Sequence, residues 1–321
     1  MNEFTVKDQI KKKYFIIYIF IFFAFVWRIF LPDANRGNGV FFQDDLYYYL
    51  KIADQFWTLG FFSFDGINPT NGFQPLWQFI LTFLAFFSSG ENLLKLSLFI
   101  NLLIIIYFVY LLIKLSVAVS LPVTPIILTI ISLTIFPTLG QFLFNGMETS
   151  LLGVCVVTSF LFYLKRENQE YTFKYAFLFG VFSGMAMLAR LDSFVIFVIP
   201  YFMLLINNRK FFLISALSHL LVVVPYLVWL FLSSGSIMPI SGAVKNFYST
   251  FLSLHPDPNI NNYINYLLTA FTDSLPLLKY STFFAPFYIF ERIITNQAIA
   301  FLVSIVTILL LLFITFNIFK N

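Results

Sequence analysis

Apolar runs of near membrane-spanning length recur along this chain from Tyr14 to Phe319, and that recurrence leaves it few folds. A helix crosses a hydrocarbon core about 30 Å thick in roughly 20 residues. The clear runs fall at Tyr14 to Leu31, Leu93 to Leu115, Leu121 to Leu139, Thr149 to Leu164, Phe173 to Arg190, Ser193 to Ile206, Phe211 to Leu232 and Ala298 to Phe319. The expected fold class is therefore an all-α polytopic membrane protein, one domain over residues 1–321, with about eight transmembrane helices. With 60% of the residues hydrophobic and 11% charged, a water-soluble domain is excluded. The N-terminal apolar stretch is longer than a signal-peptide core and lacks a small-residue cleavage site, so it reads as a retained first span.

A shorter run, Pro75 to Ser88, is decided by the lysines. If Lys7, Lys11, Lys12 and Lys13 keep residues 1–13 in the cytoplasm, counting this run as a crossing would put the loop at 165–174 outside, against the positive-inside rule. Reading it as a juxtamembrane or re-entrant helix restores the parity. The inner side then collects 11 of the 19 basic residues and 4 of the 15 acidic ones. Two long segments, 32–92 and 233–297, fall outside, while the inner loops between spans are short. No nucleotide-binding glycine motif is present, and the basic residues flank spans singly or in short groups, so no nucleic-acid partner is expected. The single cysteine, Cys155, rules out an internal disulfide.

Chemistry is concentrated in the first external segment. From Asp44 to Trp57 the apolar positions Leu46, Tyr49, Leu50, Ala53, Phe56 and Trp57 repeat at helical spacing, which predicts a helix in the interface. Asp44 and Asp45 stand at its start, where one carboxylate suffices to cap free N–H groups. The second points to a general base or a cation site, and with Glu148 the pair offers hard oxygen ligands for Mg²⁺ or Mn²⁺. Asp65-Gly66, Asn68-Pro69 and Asn71-Gly72 then predict a folded loop. Asp65, Asn68, Thr70, Asn71 and Gln74 are its candidates for binding a sugar or a phosphate, unless the loop only covers span ends.

The stretches DDLYYYLKIADQ and FSFDGINPTNGFQPLW, with NGMETSLL, GMAMLARLD and SGSIMPISGAVKN further on, resemble the bacterial GT-C-type glycosyltransferases that use polyprenyl-phosphate sugars, the group that includes protein O-mannosyltransferases and aminoarabinose transferases. The resemblance covers about residues 14–250. It implies a GT-C-like helical module with juxtamembrane helices in the first external loop and a site at the outer face of the cell (inner) membrane. It also implies an already flipped polyprenyl-linked donor, a lipid, glycan or protein acceptor, and inversion at the anomeric carbon. The group's essential carboxylate maps onto Asp44. The sequence departs from the group at Gln74, where a histidine is frequent, and in having one span after the second long loop.

Glu148 reads either as a dipole partner at a helix start or as a second carboxylate of the site. Arg190 and Asp192 read as a mutual ion pair, or Arg190 neutralises a lipid phosphate with Lys245 as a competing contact. Arg28 is expected to snorkel, and His219 and His255 to be structural. Trp27, Trp57, Trp77 and Trp229 read as lipid-facing packing and interfacial belt. The competing functional classes are a lipid or solute transporter and a non-catalytic assembly subunit derived from a transferase.

Overall fold

The computed structural model describes residues 17–26, 29–30, 44–135, 144–166, 172–235 and 239–240. The expected span at 298–319, together with Trp27, Arg28, Lys245 and His255, lies outside the described residues. Among the described residues the elements are helical, in the order α1 Ile17–Val26, α2 Asp44–Leu59, α3 Pro75–Ala85, α4 Gly90–Ala118, α5 Thr124–Ile135, α6 Thr149–Tyr163, α7 Thr172–Ala189, a 3₁₀ turn Leu191–Ser193, α8 Phe194–Asn207 and α9 Arg209–Ser234. Extended pairing is confined there to one bridge, Ser63 with Pro69.

Three of these helices, α4, α7 and α9, are long and apolar enough to cross a membrane. The 29 residues of α4 rise about 43 Å. The 15 residues of α6 rise about 22 Å, short of the roughly 30 Å hydrocarbon core. The expected full-length spans thus reduce, among the described residues, to three helices of spanning length and several shorter apolar ones. The runs expected from Phe173 to Arg190 and from Ser193 to Ile206 are α7 and α8, on either side of the turn Leu191–Ser193.

Most of the surface of α9 is apolar and exposed, with Leu213, Leu217, Leu221, Phe231 and Leu232 all more than half accessible. In water such a ridge would be an aggregation surface; in lipid it is the ordinary outer face of a span. Its inner face packs most extensively against α7, which in turn packs on α6, and α6 on α4. Gly180 and Gly184 make the α7–α9 crossing possible. A Cβ at Gly180 would collide with Ser218 Oγ and the Ser215 carbonyl, and one at Gly184 would press on Val222 and the His219 carbonyl. This is the small-xxx-small packing that lets helices approach in a medium with no hydrophobic drive of its own. The predicted interface helix is α2, with Leu46, Tyr49, Leu50, Ile52 and Ala53 buried and Asp44, Asp45, Tyr47 and Lys51 exposed. Proline at the first position of α3 fits a helix start, where its missing N–H is not needed. The α2–α3 pair then packs onto α4 and α7.

Candidate functional site

Four separate pieces of chain meet at one end of the helices. Trp77 of α3 donates its indole N–H to the Gly146 carbonyl (3.1 Å), and Gln74 Oε1 accepts from the Leu191 amide (3.3 Å). Arg190 reaches Glu148, and Asn71 Oδ1 accepts from the Ile240 amide (2.8 Å). The segment from α2 to α3 is thereby fastened to the start of α6, the end of α7 and the chain beyond α9. Arg209, at the start of α9, lies at the other end of that helix.

The turn that precedes α6 is fixed locally. Asn145 Oδ1 accepts from the Met147 amide (2.9 Å), an Asx turn, and Gly146 takes φ +75°. Any Cβ at Gly146 would run into Leu46 and press on Leu98, so both conformation and space call for glycine. Asn101 of α4 closes the other side, donating Nδ2 to the Met147 carbonyl (3.0 Å) and to Ser150 Oγ (3.2 Å). The turn delivers Glu148, 3% exposed, into the junction. Its side chain does not cap α6. Instead Glu148 Oε1 accepts from Arg190 Nη1 at 3.3 Å.

Arg190 follows α7 with an extended backbone, and its Nε and Nη2 donate to the two oxygens of Asp192 (3.2 and 3.3 Å). The expected mutual pair is present as a fork, with Glu148 as a second carboxylate on the same guanidinium. The Arg190 side chain stays 27% exposed, against 4% for Glu148 and 10% for Asp192, so Arg190 is the most accessible member of the cluster. Burying a carboxylate is costly unless a cation and hydrogen bonds accompany it. Burial pushes the Glu148 carboxyl above its ordinary range, while the Arg190 cation pulls it back down.

Tyr49, buried on α2, joins the cluster through Gln74, whose amide N–H donates to the phenol oxygen (2.8 Å). Gln74 therefore bridges α2 to the turn after α7. Burial pushes the Tyr49 phenol well above its ordinary value, and the negative charges of Glu148 and Asp45 add to that. Asp45 is thus the member of the aspartate pair whose charge reaches the junction. Asp44 is exposed, and its Oδ1 accepts from the Asp45 amide (3.0 Å).

The loop residues divide. Asp65 Oδ1 accepts from the Ile67 and Asn68 amides (2.9 and 2.7 Å), and Oδ2 accepts from Asn68 Nδ2 (2.7 Å). The Ser63 hydroxyl lies 3.1 Å from Asp65 Oδ1 and 2.7 Å from the Asn68 carbonyl. These bonds to the charged form hold the Asp65 carboxyl far below the usual carboxylate range. Asp65 and Asn68 therefore serve the loop's own fold. Thr70 Oγ1 is 3.1 Å from the Tyr48 hydroxyl, and Asn71 is buried under Ile240. Of the loop candidates, Gln74 alone touches the charged junction. Among the described residues no three His, Cys, Asp or Glu side chains gather as metal ligands.

Sequence reasoning missed Tyr49, Asn101 and Trp77 as parts of this junction. Trp77 is fully buried, which corrects its reading as a lipid-facing belt residue, while Trp57 (51% exposed) keeps such a position and donates its N–H to the Thr82 carbonyl (2.7 Å). His219 bonds Ser183 Oγ through Nδ1 (2.9 Å), a contact between α7 and α9. No protein-family model, curated protein or solved structure matches this chain.

Proposed function

We propose that this chain is a membrane glycosyltransferase of GT-C type, moving a sugar from a polyprenyl-phosphate-linked donor to a lipid, glycan or protein acceptor, with inversion, at the outer face of the cell (inner) membrane. The observation that carries the reading is the meeting of the first external segment with Glu148, Arg190 and Asp192 at one end of the helices. A carbohydrate site needs hydroxyl-binding carboxylates, amides and aromatic groups, and a cation near the departing phosphate. The junction offers all four. Arg190 presents the exposed cationic edge, Glu148 and Asp192 hold it, and Asp45 and Tyr49 flank it. On this reading the helices of spanning length and the shorter apolar ones belong to an eight-span module.

Asp44, exposed at the start of α2, takes the acceptor's proton as the anomeric carbon is attacked. A divalent cation, Mg²⁺ or Mn²⁺, would approach from the Asp44–Asp45 side. The test is Asp44→Asn in purified protein supplied with a polyprenyl-linked sugar pool. Asparagine keeps the helix start, so expression and donor binding should stay near normal while transfer falls by at least about 100-fold. Transfer at wild-type speed would remove Asp44 from catalysis.

One observation favours a second reading, a lipid or solute transporter. Ser183, Tyr201 and His219 form a polar network within α7, α8 and α9, with Ser183 Oγ 2.8 Å from the Tyr201 hydroxyl. Polar groups at such depth are typical of transport pathways. Lipid or solute movement across proteoliposomes with no covalent product would favour it.

A further inference from the structure

Two hydrogen-bonding capacities at the junction are not met among the described residues. The Tyr49 phenol oxygen accepts from the Gln74 amide, yet its own proton has no acceptor there. Glu148 Oε1 is held by Arg190, while Oε2, buried, meets no donor from another described residue. Both side chains are more than nine-tenths buried. Neither is an ordinary solvated surface group, and buried polar atoms of this kind normally have partners.

A chain of contacts links them, and the Glu148 charge acts on the Tyr49 phenol. Tyr49 holds Gln74 at 2.8 Å, Gln74 holds the Leu191 amide at 3.3 Å, and the adjacent Arg190 holds Glu148 at 3.3 Å. On the other side Trp77, three residues beyond Gln74, is bonded to Gly146, two residues before Glu148. Arg190 is the more exposed partner of its pair with Glu148.

The chemistry of the two groups selects what can serve both. A group that satisfies both sides must accept from the phenol and donate to the carboxylate. A phosphate or carboxylate cannot donate when ionised. An ammonium cannot accept, and a carbonyl cannot donate. A hydroxyl does both.

We propose that Tyr49 and Glu148 jointly hold one hydroxyl of a neutral carbohydrate, the phenol donating to its oxygen and Glu148 Oε2 accepting its proton. That the carbohydrate is a transferred sugar or its acceptor rests on the transferase reading above; the hydroxyl pair itself does not. Tyr49 is then a binding residue of the site, and its substrate class is a hexose-like polyol. Ordered water shares the hydroxyl chemistry and is one outcome of the test.

The full chain in detergent is measured for binding of polyprenyl-phosphate mannose, bare polyprenyl phosphate and free mannose. Wild type should prefer the mannosylated lipid over the bare one and bind free mannose weakly. Tyr49→Phe and Glu148→Gln should each reduce mannose recognition about tenfold. The double variant should lose little more than either single one, because both contacts serve one hydroxyl. Unchanged recognition in Tyr49→Phe would mean water alone serves the two groups and would overturn the proposal, as would additive losses. A series of monodeoxymannoses on the wild-type protein requires no variant to fold: one position should lose about tenfold, and equal binding of all of them overturns the proposal. Mannose binding that needs Tyr49 without any preference for the mannosylated lipid would leave the pair standing and sink the lipid-linked donor. No binding of either carbohydrate form sinks the pair.

Discussion

The tip of the first loop and the charged junction are both rich in polar side chains, and they use them in opposite ways. At the tip, Asp65 takes two backbone amides and the Asn68 side chain, and Ser63 closes the turn, all within six residues. At the junction, Tyr49, Gln74, Glu148, Arg190 and Asp192 come from distant parts of the chain, and Glu148 Oε2 has no partner among the described residues. A local cluster can satisfy itself, because neighbouring backbone amides are always within reach of a short side chain. A cluster assembled across helices has no such supply of donors. Polar density alone therefore does not mark a site; unmet capacity in a buried place does.

The contrast can be broken most severely at Arg190. Replacing it by Met leaves Glu148 buried beside Asp192 without a cation, which should cost about 3 kcal/mol, and adding Glu148→Gln should recover a good part of the loss. Thermal unfolding of the purified variants reads both. A single variant that melts like wild type would show that the junction's charges are not coupled.

The two regions each contain a left-handed glycine, Gly146 at φ +75° and Gly66 at φ +79°. Gly146 is hemmed in by Leu46, whereas the nearest atom to a Cβ on Gly66 would be Gln55 Nε2 at 3.7 Å. Gly66→Ala should cost about 1 kcal/mol, the conformational penalty alone. Gly146→Ala adds the collision and should cost about 3 kcal/mol. Equal melting temperatures for the two variants would mean that Leu46 yields freely and the turn before α6 is not tightly set.

The smallest effect belongs to the tip and to pH. The folded-state pKa of Asp65 is depressed, so its contribution is complete above the ordinary aspartate value near 3.9 and is lost as pH falls toward the folded value. Amide exchange at Ile67 and Asn68 should accordingly accelerate relative to the rest of the loop only below about pH 4, and Asp65→Asn should show faster exchange at neutral pH. Protection unchanged down to pH 2 would refute the carboxylate as the loop's organiser.

The loop tip was legible because Asp-Gly, Asn-Pro and Asn-Gly act through their own backbones, over a few residues. The burial of Leu46, Tyr49, Leu50 and Ala53 on α2 followed from helical spacing in the same local way. The junction was legible only in its charged members. Glu148, Arg190 and Asp192 stand out in apolar surroundings, but nothing in their spacing says that Arg190 faces a residue 42 positions earlier. Tyr49 reads as one more apolar position, and the indole of Trp77 looks the same in sequence whether it meets lipid or the Gly146 carbonyl. The break at Leu191–Ser193 was legible because Arg190 and Asp192 interrupt the apolar run, and the helices on either side keep nearly the expected bounds. Gly180 and Gly184 did carry a readable spacing, four residues apart on one helix face.

That glycine crossing divides the labour of movement. With Gly180 against the Ser215 backbone and Gly184 against His219, α7 and α9 have no clearance to slide past each other, so they act as a strut that carries the Arg190 turn at a set height. The α2–α3 hairpin is held to that strut by lighter fastenings, among them Gln74 to Leu191, and to the α6 turn by Trp77 to Gly146. Any separation of the hairpin from that strut would have to break those two bonds first.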